Sequence, residues 1–360
     1  MAAGGSEVRI WGMTAAQRLS RSFQRLGLAA YDPSDPTGNV VLVDAGWVLD
    51  EALVRALAER PGAALVDGAG RAVAVHIAAA EAAAATNALQ AGTLAGSHER
   101  LTAMELLGAY NSALRKREPP VLERLTAETV RPVEKRLFQG SYKGVTDLVT
   151  KHVWPAPARV VTRWCALAGI TPNQVTFASF ILVLAAMWLF WTGHFGWGLV
   201  CAWIMTFLDT VDGKLARVTL TSSKIGNVFD HGIDLIHPPF WWWAWVVGAQ
   251  MSLHPLAEPG VVLWVVVGGY VAQRLLEGAF IAAFKVEMHA WRPFDSFFRQ
   301  ITARRNPNLI LLTLACLVGR PDLGMIAVAV WTALSFAVHL VQCVQAGLAP
   351  KGSIVSWLSR

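Results

Sequence analysis

DTVDGKLARVTLTSSKIGNVFDHGID, residues 209–234, places four aspartates, Asp209, Asp212, Asp230 and Asp234, between two apolar stretches long enough to cross a bilayer. Carboxylates at the edge of a membrane span are expensive to desolvate, so their presence there marks a functional site. Asp209 and Asp212 are three residues apart and Asp230 and Asp234 four apart, so on helices each pair shares a face. The Thr- and Ser-rich stretch 218–224 turns the chain between the two helices, and the hairpin gathers both pairs at one end. Clustered carboxylates repel one another and call for a counter-charge. Hard oxygen ligands suit Mg²⁺ or Mn²⁺, ions that usually complete their shells with substrate phosphates. Gly213 and Gly226 remove side chains where a nucleotide or the partner helix must come close. Lys214 and Arg217 lie just beyond Asp212, placed either to neutralise the carboxylates and snorkel or to meet substrate phosphate.

Working outward from this stretch, the chain of 360 residues has only 16% charged residues, 16 tryptophans and a net charge of +6. That composition suits a membrane protein better than a soluble one. Apolar segments follow one another at 174–192, 196–216, 226–250, 260–284, 307–319 and 323–346, against the ~20 residues needed to cross. The fifth is short for a span. The third contains WWWAWVV at 241–247, whose indoles suit an interfacial belt or tight helix packing. The loop between the fourth and fifth spans carries Lys285, Arg292, Arg299, Arg304 and Arg305, whereas the other side carries only Arg320. Basic loops stay in the cytoplasm, so the aspartate loop and both termini are expected there. Residues 145–169 read, after Pro157, as an amphipathic helix lying in the interface, and Thr171-Pro172-Asn173 gives the first span a clean start.

The N-terminal stretch MAAGGSEVRIWGM has no apolar core of signal-peptide kind, so export is not expected. Cys165, Cys201, Cys316 and Cys343 are scattered and show neither a disulfide framework nor zinc-ligand spacing. No Lys/Arg stripe interleaved with aromatics appears, so no nucleic-acid partner is expected. Within residues 1–140, the short apolar runs NVVLVD, AALVDG and RAVAVHI alternate with helix-like stretches, a pattern resembling βαβ units with parallel strands. Residues 11–28 read as an amphipathic helix. The expected architecture is therefore a multi-pass α-helical membrane protein of about six transmembrane helices, preceded by a small α/β cytoplasmic domain.

The pattern D-x2-D-G-x2-A-R-x8-G-x3-D-x3-D resembles the signature of the CDP-alcohol phosphotransferases. Asp209, Asp212, Gly213, Ala216, Arg217, Gly226, Asp230 and Asp234 fill every position, and ITPNQVT at 170–176 resembles the segment opening that family's first span. The resemblance implies metal-dependent transfer of a substituted phosphate from a CDP-alcohol to an acceptor hydroxyl, with release of CMP. By motif position, Asp209, Asp212 and Asp230 look like metal ligands, with Asp234 helping to hold a second Mg²⁺ or Mn²⁺ ion or acting as the general base. Gly213, Ala216 and Arg217 look like nucleotide and phosphate contacts, with Gly226 in the same fingerprint and Asn173 near the nucleotide. The donor is expected to be CDP-diacylglycerol or a CDP-polyol and the acceptor an alcohol or phosphorylated polyol, in a homodimer embedded in membrane lipid of the bacterial inner membrane. Arg292, Arg299, Arg304 and Arg305 are placed either to hold a phosphorylated acceptor or only to set topology.

The order of elements in residues 1–140 loosely resembles sugar-phosphate nucleotidyltransferases fused to such domains, yet residues 1–37 supply no Gly-rich, Arg-containing phosphate loop. A degenerate, non-catalytic domain is expected, with Asp44 and Asp67 in turns or caps. The expected layout is thus this domain at 1–140, a linker with the interfacial helix at 141–172, the six-span domain at 173–348 and a tail at 349–360. The rival class is a cation-coupled membrane transporter, which also employs intramembrane acids.

Overall fold

Thr14 starts the first helix, α1 (Ala15–Arg25), through a reciprocal cap: its hydroxyl accepts the Gln17 amide at 3.2 Å and the Gln17 side chain accepts the Thr14 amide at 3.0 Å. The computed structural model describes every residue except Ser6, Asp35, Pro36, Ala95, Ser223, Lys351 and Arg360, together with the side chains of Lys224, Ile225, Asn227, Phe229, Asp230 and His231. The chain divides into two compact units, one made of Met1–Tyr142, Arg163–Gly169 and Lys214–Thr221, the other of Lys143–Thr162, Ile170–Gly213 and Ser222–Arg360.

The first unit is built on a five-stranded sheet of β1 (Ala2–Ala3), β2 (Asn39–Asp44), β3 (Ala63–Val66), β4 (Ala72–Ala78) and β5 (Glu99–Thr102), in the order β1-β2-β4-β3-β5. Alternate residues of β2 face opposite sides. Val41 and Val43 pack with Leu19 of α1 and with Leu53 and Leu57 of α2 (Glu51–Ala58). Val40 and Leu42 pack with Leu89 of α3 (Ala82–Ala91). Burial on both faces explains the nearly continuous apolar runs in the sequence. The expectation of parallel strands is corrected here. The β1–β2 and β3–β5 pairs are parallel, but β4 runs antiparallel to both β2 and β3. The reason lies in Asp67, whose carboxylate accepts the amides of Ala69 and Arg71, both at 2.9 Å. This folds a tight turn between β3 and β4, and so short a connection permits only antiparallel pairing. Asp44 likewise accepts the Gly46 amide at 2.8 Å, so both acids close turns. A further helix, α4 (Val130–Gly140), buries Phe138 against Trp11, with ring centroids 6.0 Å apart.

Helix α5 (Pro155–Leu167) leaves Val160, Trp164 and Leu167 exposed. In the second unit a helix forms at each of the apolar stretches read from the sequence. These are α6 (Pro172–Trp191), α7 (Phe195–Val218, whose last residues belong to the first unit), α8 (Lys224–Ala249), α9 (Pro259–Phe284, with a π-helical stretch at Trp264–Gly268), α10 (Arg305–Leu317) and α11 (Pro321–Leu348). Among the described residues, α6, α9 and α11 are long and apolar enough to cross a membrane. Thr171 caps α6 with Pro172 in its first turn, as the sequence indicated.

The indoles of α8 settle into packing rather than forming a belt. Trp241, Trp242 and Trp245 are fully buried beside Phe190, and only Trp243 of that run is well exposed. Trp241 donates Nε1–H to the Val183 carbonyl at 2.9 Å and Trp245 to the Pro321 carbonyl at 3.1 Å, so each buried N–H is satisfied. Helices α6 and α8 approach so closely that a Cβ on Gly248 would sit 1.9 Å from the Phe190 carbonyl oxygen. Backbone cannot yield as a flexible side chain does. Gly248→Ala is therefore expected to destabilise the helical unit by about 1–3 kcal/mol, read as a lowered melting temperature in detergent, whereas Gly278→Ala, with no atom within 4 Å of its added Cβ, should leave it unchanged.

Candidate active site

Asp209 and Asp212 sit one turn apart on α7, and Asp234 lies on α8. The carboxylates of Asp209 and Asp234 converge on one guanidinium, that of Arg305 at the start of α10. Arg305 Nη2 lies 2.5 Å from Asp209 Oδ2, and Nη1 lies 2.5 Å from Asp234 Oδ1. Arg305 and Asp209 are largely shielded, while Asp234 keeps 41% of its side chain open to solvent. Asp212 is buried, and Thr176 of α6 donates its hydroxyl to Asp212 Oδ2 at 2.6 Å. Three helices and the first residue of a fourth thus meet at one group of acids.

Cations at a helix N-terminus oppose the helix dipole. Arg304 and Arg305 both occupy the start of α10, and both are compensated by carboxylates: Arg305 by the two aspartates, and Arg304 by Glu277 of α9, whose oxygens lie 2.6 Å from Nη2. Glu277 also accepts from Arg274 at 2.9 Å. Arg292 is bound by Asp295, and Asp147 lies close enough to Arg299 to hold its own carboxyl below the usual range in spite of burial. The basic loop that the sequence offered as an acceptor site thus has its arginines largely engaged with acids of the same unit.

The remaining expected residues fall as follows. Asn173 is exposed in the first turn of α6. Gly213 follows Asp212 on α7, and Gly226 lies in the first turn of α8. The side chain of Asp230 lies outside the described residues. Lys214, Ala216 and Arg217 belong to the last turns of α7, within the first unit. Lys214 Nζ and Arg217 Nη1 each donate to the Ser141 carbonyl at 3.2 Å, and Lys214 Nζ lies 3.6 Å above the Tyr142 ring.

Residues 169–338 match the family described as CDP-alcohol phosphatidyltransferase. This match covers a little under half of the chain, and over it the chain is similar to the CDP-alcohol phosphatidyltransferase family. It is similar to a phosphatidylinositol phosphate synthase of Mycobacteroides abscessus, with 36% identity covering 21% of this chain and 38% of that protein. It is similar also to cholinephosphotransferase 1 of Xenopus laevis, with 30% identity over 32% of this chain and 30% of the relative. An archaetidylinositol phosphate synthase of Pyrococcus horikoshii shares 25% identity over 50% of this chain and 87% of its own length. The chain thus spans well under half of the first two relatives. The family segment contains α6 to α10 and most of α11, and so Asp209, Asp212, Asp234, Thr176 and Arg305 all lie inside it.

Two of these contacts escaped sequence reasoning. Thr176 was within the quoted ITPNQVT segment but is assigned to Asp212 only by helix packing. Arg305 reads either as a contact for a phosphorylated acceptor or as a topology charge, and no local spacing ties it to Asp209 or Asp234. Arg305→Met leaves two facing carboxylates without their shared counter-charge. It is expected to lower stability by about 2 kcal/mol, between the limits for exposed and fully buried pairs, seen as a drop in the melting temperature of metal-free protein. Arg305→Lys, a single point charge that cannot bridge two acids as a fork, should recover less than half of the loss.

Proposed function

We propose that the protein is an integral-membrane CDP-alcohol phosphotransferase that moves a substituted phosphate from a CDP-alcohol to an acceptor hydroxyl and releases CMP. The observation that carries this reading is the convergence of Asp209 and Asp234, from two different helices, on one positive charge, with Asp212 a turn away. That arrangement suits a cation, and an all-carboxylate donor set suits Mg²⁺ or Mn²⁺ in a family that is generally dependent on divalent metal. In this reading Asp209, Asp212 and Asp230 hold metal, and Asp234 shares in holding a second ion. The metal would supply charge neutralisation on the diphosphate and on the departing CMP.

The chain's own residues do the rest. Arg217 faces the donor phosphates, while Gly213, Ala216 and Gly226 leave space for the nucleotide and Asn173 lies near it. Asp234, the most open of the described motif acids, takes the proton of the acceptor hydroxyl as that oxygen bonds to phosphorus and the bond from phosphorus to the CMP oxygen breaks. Thr176 orients Asp212 by its 2.6 Å hydrogen bond. Arg305 holds Asp209 and Asp234 together, so their mutual repulsion does not open the hairpin. The acceptor class follows two of the relatives, whose names state phosphatidylinositol phosphate and archaetidylinositol phosphate synthesis. A phosphorylated polyol with CDP-diacylglycerol or a related CDP-lipid is the reading they support. The active site faces the cytoplasm, six helices form the membrane domain with α10 too short to cross the bilayer by itself, the protein works as a homodimer in the bacterial inner membrane, and the α/β unit is a degenerate, non-catalytic domain.

Purified protein with Mn²⁺, CDP-diacylglycerol or CDP-polyols and a panel of alcohols is expected to release CMP and yield a phosphodiester detectable by mass spectrometry. Ion-coupled uptake into vesicles without CMP release would replace the enzyme reading by the transporter. EDTA should abolish turnover and Mn²⁺ restore it. Asp234→Asn should reduce turnover by at least ~100-fold while CDP-alcohol binding stays measurable by calorimetry, and retention of a substantial fraction of activity would sink the role given to Asp234.

A further inference from the structure

The C-terminal end of α7 is held in an unusual way. The helix ends at Val218, and Leu220 just beyond it takes a left-handed conformation with φ of 55° where glycine is the ordinary choice. The stop is closed by the Thr221 amide donating to the Ala216 carbonyl at 3.0 Å and the Thr219 amide to Leu215 at 3.0 Å. A branched residue persists in such a conformation only where its surroundings over-determine it. Here the surroundings come from the α/β unit. Arg18 Nη1 lies 2.5 Å from the Val218 carbonyl and Arg21 Nη1 lies 2.8 Å from the Thr219 carbonyl. Those carbonyls are among the last of the helix, where backbone acceptors lack intrahelical partners and the dipole is negative.

Arg18 and Arg21 are three residues apart, so both project from one face of α1. Arg18 is only 8% exposed, and burial lowers its pKa to about 10, which keeps it charged at neutral pH. Helix α1 is itself fixed at its start by the Thr14–Gln17 cap, at its middle by Leu19 in the sheet core and at its end by the Arg25–Glu51 ion pair at 3.0 Å. Lys214 and Arg217 bind the Ser141 carbonyl beyond α4. The last turn of α7 is therefore clasped by two elements of the α/β unit.

We infer that the α/β unit is a positioning device for the nucleotide end of the motif, with Arg18 and Arg21 as positioning residues that fix the turn bearing Ala216 and Arg217. The inference rests on the function proposed above. It assigns to a domain without a phosphate loop a role that needs none: α1 supplies two fixed positive groups to the last carbonyls of the helix.

The test uses the full-length protein in nanodiscs, with Arg18→Ala, Arg21→Ala, the double alanine variant and the double lysine variant. The probes are CMP binding by calorimetry with Mn²⁺ present, Mn²⁺ binding alone, and hydrogen exchange of the amides of Thr219 and Thr221. The double alanine variant is expected to exchange these amides faster and to bind CMP on the order of tenfold more weakly, as loss of charged hydrogen bonds implies. Mn²⁺ affinity should stay within about twofold of wild type, because no aspartate is touched, and the double lysine variant should recover most of the CMP affinity. If the double variant does not fold, Arg21→Ala, whose side chain is only partly buried, carries the same expectations at reduced size. Faster exchange with unchanged CMP affinity would make the arginines merely structural and overturn the inference alone. A wild-type protein that binds no CMP would overturn the enzyme reading and this inference together.

Discussion

Asp209 and Asp234 present like charge at the same end of two largely apolar helices, and the α7–α8 hairpin closes there only with a cation between them. Arg305 meets that requirement with both arms of one guanidinium, a geometry for which a lysine has no equivalent. The requirement reaches further than the contact. To place Arg305 between the two acids, α10 has to begin at the level of the carboxylates. At 13 residues, about 20 Å, it is too short to cross a hydrocarbon layer of about 30 Å by itself. Its other leading arginine then needs a carboxylate of its own, which Glu277 supplies from α9. One neutralisation thus fixes the starts and levels of several helices.

Such a site works only on a frame that holds its position. The frame comes from backbone proximity and indole packing. Gly248 lets α8 lie against the end of α6, and Trp241 and Trp245 fill the adjoining space while donating to carbonyls of α6 and α11. In an apolar solvent there is little hydrophobic drive between helices, so close packing and satisfied polar groups carry the association. The tryptophan run is thus part of the machinery that holds Asp234 in place, about two to three helical turns along the same helix.

The helices of the membrane half were legible because apolar length and the spacing of acids are local properties. Thr171-Pro172 announced the start of α6, and the spacing of Asp209 and Asp212 announced a shared face on α7. What was not legible depends on partners distant in sequence. Nothing near Arg305 distinguishes it from Arg299 or Arg292 as a topology charge, and its role follows only once α7, α8 and α10 are packed. The strand directions of the α/β unit were misread because a buried strand shows the same unbroken apolar run whichever way its neighbour points. The tight turn at Asp67 was the available signal, since a connection so short excludes a parallel crossover. The capping arginines of α1 lie in a stretch that reads only as an amphipathic helix. A charge that meets a distant helix end leaves no mark on local periodicity.

Helix α8 shows how site and frame constrain each other. Pro238 and Pro239 lie inside it, four residues after Asp234 and Leu235, and a proline has no N–H to return to the carbonyl one turn earlier. The carbonyls of Asp234 and Leu235 therefore lose their usual helical donors directly at one of the clustered acids. An unsatisfied carbonyl facing hydrocarbon is expensive, so a proline pair of this kind is tolerable only where other donors or water reach it. Tyr270 of α9 supplies one such donor, its hydroxyl lying 2.9 Å from the Leu235 carbonyl. The polar surroundings of the acid group make the missing backbone bonds affordable. The interrupted stretch lies between the acid cluster and the tryptophan-packed end of α8, which the close contact at Gly248 holds against α6.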